Sequence, residues 1–175
     1  WVSVPRPSLD TIGKILLTLL GIVAVFDLME GIAPPADADS LAYHFAVPKQ
    51  FLEAGRIEFI LRALEGAVPF GTQMTYVPAL ALGGEKALTL WTMVSGWAPA
   101  AVLFVFCRRH LGLNWSLTVT LIFLTTPAVI YGGGSGQVET RIALFVLVAA
   151  WATARALETG QSRYAVLAGL GCGFL

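Results

Sequence analysis

Between Lys86 and Arg108 the chain runs through residues 87–107 without one charged side chain, and Arg108, Arg109 and His110 follow at once. A stretch of that length matches the hydrocarbon thickness of a bilayer, which takes about 20 apolar residues of helix. Inside lipid every backbone N–H and C=O must be satisfied within the protein, so such a segment is a helix or belongs to a closed barrel. Further apolar runs cover residues 15–32, 115–130, 142–154 and 164–175. The expectation is an all-α integral membrane protein with about five transmembrane helices over these ranges. Composition agrees: 57% of residues are hydrophobic and 13% charged, with a mean hydropathy of +0.76, too apolar for a water-soluble domain of this size. The first run has the length of either a signal-peptide core or a span, and Ala36-Asp37-Ala38 mimics a cleavage site. It is read as the first span. The chain opens on Trp1 and reaches Leu175 within an apolar run, so residues 1–175 are read as the N-terminal part of a longer polytopic domain.

If the spans alternate, Arg6, Lys14, Arg108, Arg109, Arg155 and Arg163 fall on one side, which the positive-inside rule makes cytoplasmic. The other side collects Asp37, Asp39, Glu53, Glu58, Glu65, Glu85 and Glu139, accompanied by Lys49, Arg56, Arg62, Lys86 and Arg141. The expected location is a bacterial inner (plasma) membrane with the loop 34–86 outside. Within that loop, turn signals at Pro34-Pro35, Gly55, Gly66, Pro69, Gly71 and Gly83-Gly84 separate short amphipathic stretches. Residues 40–54 read as an interfacial helix with Asp37 or Asp39 as N-cap, Leu41, Phe45, Pro48 and Leu52 on one face, a bend at Pro48 and Gly55 just past the end. A second short helix is expected over 72–82. With 11 basic and 11 acidic residues and no basic stripe, the sequence gives no reason to expect a nucleic-acid partner. Cys107 and Cys172 lie in apolar stretches and read as buried thiols, with no disulfide or metal framework.

The stretch richest in chemistry is Pro34 through His44, just outside the first span. Asp37 and Asp39 at the start of an interfacial helix could act as a general base with a hydrogen-bond partner, or as ligands of a divalent metal ion, the one cofactor the residues suggest. Acids at that position also cap helices whatever their function. Glu139 could assist Asp39, bind the same metal, or simply pair with Arg141. His44 has a catalytic reading and a bland one as a hydrogen-bonded surface group. The run Gly132-Gly133-Gly134-Ser135-Gly136 has no following Lys-Ser or Lys-Thr and no preceding strand, so it reads as a flexible outer turn instead of a phosphate loop. Trp91, Trp97, Trp115 and Trp151 read as anchors and packing residues, and Thr118, Thr120, Thr125 and Thr126 as hydrogen-bonders of helix backbones. Asp27 and Glu30, near the outer end of the first span, must face the bundle or the interface.

Asp39-Ser40-Leu41-Ala42-Tyr43-His44 with Pro48 and Glu53-Ala54-Gly55-Arg56-Ile57 resembles the first outer loop of GT-C glycosyltransferases. The similarity is to the protein O-mannosyltransferase and aminoarabinose-transferase-like group, family 39. Thr126-Pro127-Ala128-Val129 and Gly136-Gln137-Val138-Glu139 resemble that group's next outer turn, where an acid precedes the fourth span. Many members carry adjacent Asp-Glu at the first site, whereas here Ser40 follows Asp39 and the second acid is Asp37. The resemblance implies inverting transfer of a sugar from a polyprenyl-phosphate donor to an acceptor at the outer face. Asp39 would be the base, Asp37 and Glu139 would assist, and Tyr43, His44, Lys49, Arg56 and Arg141 would bind substrate. Two other readings compete: a non-catalytic transmembrane subunit of a larger membrane complex, and a transporter fragment whose pathway Asp27 and Glu30 would line.

Overall fold

A computed structural model of the chain describes residues 9–61 and 70–173. Arg6, Arg62, Glu65, Gly66 and Pro69, singled out above, lie outside the described residues. In chain order the helices are α1 (Thr11–Ile32), a π-helical turn (Ser40–His44), α2 (Ala46–Ala54), a short 3₁₀ turn (Gln73–Thr75), α3 (Tyr76–His110), α4 (Leu113–Leu124), α5 (Pro127–Gly133), α6 (Glu139–Thr159) and α7 (Ser162–Gly173). No strand occurs among the described residues, so the chain is all-α.

Three segments are long and apolar enough to cross a membrane: Thr11–Ile32, Gln73–His110 and Glu139–Thr159. Leu113–Leu124 and Pro127–Gly133 make a fourth if taken together, but they meet at 69°. The sequence led us to expect one continuous span over 115–130. The break arises at Pro127, which cannot donate a backbone hydrogen bond and drives Thr126 out of helical conformation, to φ −66° and ψ 129°. The threonines before it end the helix by donating to Leu121 and Ile122 carbonyls, from Thr125 Oγ1 at 2.8 Å and Thr126 Oγ1 at 2.9 Å. The described part of α7 is 12 residues, short of a span by itself.

The bundle wears its apolar side chains outside. On α1, Ile12, Ile15, Val25, Phe26 and Met29 are all exposed, as expected where the solvent is lipid. Its acids turn inward instead: Asp27 accepts a 2.7 Å hydrogen bond from Trp97 Nε1 on α3, and Glu30 rests against Gly134. At one end of the bundle Asp10 caps α1 and also accepts from Asn114 at 2.9 Å. That end carries Lys14 on the first turns of α1, Arg108 and Arg109 closing α3, and Arg155 and Arg163 around the α6–α7 turn.

The opposite end is built from the segment after α1. The expected single helix over 40–54 is two pieces, and the expected bend at Pro48 does not occur. Pro48 sits in the first turn of α2, where its missing N–H would have had no helical partner. The irregularity falls earlier, in the π turn, and Gly55 ends α2 as anticipated, at φ 67°. Of the expected buried face, Phe45 and Pro48 are inside and Leu52 packs against the core, but Leu41 is 57% exposed, and Ser40, His44, Val47 and Phe51 are buried as well. Polar Ser40 and His44 take the inner positions because they meet backbone of the α5–α6 connection.

The helix expected over 72–82 is the opening portion of α3, continued through a break at Gly83 and Gly84. Gly84 there has φ 65° and ψ −155°, a conformation essentially reserved for glycine. Phe45 packs edge-on against Tyr76 with centroids 5.6 Å apart, and Leu80 and Leu88 complete that cluster. Val47, Phe51 and Phe70 form a second cluster with Tyr43, Ile60 and Met74 packed on it. Together these hold α2 and the π turn on α3.

Candidate functional site

The two acids of the segment after α1 do different things. Asp37 Oδ1 accepts the Ser40 backbone N–H at 2.8 Å, which is the capping role. Asp39 makes no capping bond. It is exposed, and its Oδ2 accepts from Gln137 Nε2 at 3.1 Å, across 98 residues of chain. The segment after α1 and the α5–α6 connection, both singled out in the sequence, therefore meet at Asp39.

The connection carrying Gln137 is not the flexible turn its glycines suggested. Gly132, Gly134, Ser135, Gly136 and Gln137 are buried, because a backbone without side chains can thread between helices. Gly136 is held from both sides. Its N–H donates to Ser40 Oγ at 2.5 Å, and its carbonyl accepts from Tyr76 Oη at 3.1 Å. A Cβ there would lie 2.7 Å from His44 Cβ and 2.8 Å from Ser40 Oγ. Ser40 is wholly buried as this anchor.

Beneath Gln137 lies Arg141, 3% exposed. Its Nε donates to Ser95 Oγ at 2.8 Å, Nη1 donates to the Gln137 carbonyl, and Nη2 donates to the Thr92 carbonyl. The guanidinium also lies over the Tyr76 ring, 5.8 Å from its centroid. With three donors spent on α3 and on Gln137, Arg141 fixes the loop that presents Gln137 to Asp39. Glu139 opens α6 beside it, exposed, and forms none of the close ion pairs found among the described residues.

His44 is buried, not at the surface. Its Nδ1 lies 3.2 Å from Gln73 Nε2, an amide that can only donate to it. Tyr43 lies against the same ring, with centroids 4.1 Å apart. Burial pushes the His44 pKa below its ordinary value of 6.5, outweighing the opposite pull of Glu139, Asp39 and Asp37. The linkage sign follows: between the depressed folded value and the unfolded one, the unfolded chain binds the extra proton. The stability from neutral His44 is complete above about pH 6.5 and is lost as pH falls through the folded value. Thermal unfolding of the protein in detergent should show this loss on acidification, and His44→Gln should reduce the slope below pH 6.5. An unchanged slope in the variant would exclude His44 as its source.

Lys49 and Arg56 are engaged elsewhere, each in an exposed ion pair, Lys49 with Glu85 at 3.2 Å and Arg56 with Glu58 at 2.9 Å. Exposed pairs of this kind contribute about 0–1 kcal/mol and leave the cations free to exchange partners. Among the described residues no group of three or more His, Cys, Asp or Glu is arranged to hold a metal ion. Residue-by-residue reading missed Tyr76, Gln73, Thr92 and Ser95 as parts of this site. The available signal was their polarity within or beside an apolar helix, which usually marks a cross-helix partner.

No family model matches this chain, and neither a curated protein nor a solved structure matches it.

Proposed function

We propose that this chain is the N-terminal portion of a membrane glycosyltransferase that moves a sugar from a polyprenyl-phosphate donor to an acceptor hydroxyl. The observation that carries the reading is Asp39: exposed, not spent on capping, and oriented by Gln137 from the second outer segment. One carboxylate oxygen takes the Gln137 amide, and the other is available to accept a proton. Asp39 is then the base that receives the acceptor hydroxyl proton while the oxygen attacks the anomeric carbon and the lipid phosphate departs with its electron pair. Such a group supplies about 10²–10⁴-fold in rate. Glu139 assists at the same mouth, and Lys49 and Arg56 are the exposed cations closest in sequence for the departing phosphate. Arg141 acts through Gln137 and is a positioning residue.

In this reading the basic end is cytoplasmic, the Asp39 end faces outward across a bacterial inner membrane, and α7 begins a fifth crossing. A second reading, a non-catalytic transmembrane subunit of a larger complex, is favoured by one observation. Ser40 is committed to Gly136 at the position where the resembling enzymes often carry their second acid. Membranes containing the protein, given a panel of radiolabelled polyprenyl-phosphate sugars, should transfer label above membranes lacking it. Absence of transfer from every donor would favour the subunit.

A further inference from the structure

We propose that the cleft between α3 and α6 at the basic end of the bundle binds an anionic phospholipid, its phosphate on Arg109 and an acyl chain along the cleft. The cleft has a volume of about 730 Å³, within the ~300–1,000 Å³ of ordinary ligand sites. Val102, Val105 and Phe106 line one wall, Leu147 and Trp151 the other, with Leu167 of α7 at the edge. Arg109 is the one charged residue lining it.

The surroundings favour an anion at that point. Arg155 pairs with Glu158 at 2.8 Å, Arg163 lies over the Tyr164 ring at 5.0 Å and Arg108 donates to the Leu111 carbonyl at 3.0 Å, and of these basic residues and Arg109 only Arg109 lines the cleft. Arg109 takes part in none of the ion pairs found among the described residues. It is exposed and lies 5.9 Å from the Trp151 ring centroid, an aromatic–cation pair at the end of the apolar cleft. A guanidinium there takes a phosphate bidentately, and the apolar walls accept only hydrocarbon. Among the described residues no carboxylate lines the cleft to hold the ammonium of a zwitterionic headgroup, so selectivity for an anionic lipid follows. The site lies at the opposite end from Asp39 and does not depend on the sugar-transfer reading.

The protein in detergent, mixed with equal amounts of phosphatidylglycerol and phosphatidylcholine of the same acyl chains, should retain phosphatidylglycerol preferentially in native mass spectrometry. Arg109→Gln should cut that preference about fivefold, the equivalent of one basic residue at a membrane surface, while Arg108→Gln leaves it unchanged. Ala150→Trp, on the exposed wall of the cleft, should reduce retention of both lipids. Equal retention of the two lipids by the unaltered protein, equal losses in the two arginine variants, or a lipid-free dimer whose interface is this cleft would each overturn the proposal.

Discussion

Replacing Asp39 with Asn should lower sugar transfer by about a hundredfold or more, with the protein accumulating to its normal level. The asparagine carbonyl can still accept from Gln137 Nε2, so the contact between the two outer segments survives. Only the ability to take a proton is removed. Asp37→Ala is the informative partner. It deletes the capping bond to the Ser40 N–H and should cost about 1 kcal/mol of stability, while transfer changes only severalfold. Both variants are compared in the same membranes with the donor that the unaltered protein uses. Retention of the rate by Asp39→Asn would remove Asp39 as the base. Equal collapse in both variants would point to a role for the local fold instead of proton transfer.

The second large effect is structural. Gly136→Ala should destabilise the protein by about 3 kcal/mol, combining overpacking of about 1–3 kcal/mol with about 1 kcal/mol for each buried hydrogen bond displaced. The reason is the crowd around its missing side chain: His44 Cβ at 2.7 Å, Ser40 Oγ at 2.8 Å and Phe45 Cε1 at 3.0 Å. None of these is the free end of a flexible chain. Gly136 cannot retreat either, since its N–H and carbonyl are both tied, to Ser40 and Tyr76. Gly112, ahead of α4, has nothing within 4 Å of an added Cβ, and Gly112→Ala should stay within about 0.5 kcal/mol. Thermal unfolding in detergent micelles distinguishes the two variants. Similar midpoints would mean that the α5–α6 connection is not clamped as described.

Much of the site followed from local chemistry and could be read directly. A carboxylate three residues before an unpaired N–H is a cap, and Asp37 is one. A glycine after an amphipathic stretch ends it in the left-handed conformation, and Gly55 does. The division of labour between Asp37 and Asp39 could not be read the same way, because both positions are suitable for capping and only the arrival of Gln137 from 98 residues away distinguishes them.

Similarly, Arg141 next to Glu139 resembles an ion pair at a helix mouth, yet its guanidinium is taken up by Ser95, Thr92 and Gln137. That outcome depends on how α3 and α6 pack. The glycine run was legible as backbone lacking side chains but not as a buried strap. Low side-chain content suits both a loose loop and a close approach, and only the neighbours decide between them.

By itself, then, the order of apolar and charged residues determined that this chain is helical with segments long and apolar enough to cross a membrane, and where its basic residues gather. Bilayer thickness and the cost of unpaired backbone groups in lipid act on one segment at a time. Tertiary structure alone decided which acid meets Gln137 and which polar side chains are buried. Those outcomes turn on hydrogen bonds between residues far apart in the chain and on the space left where helices meet.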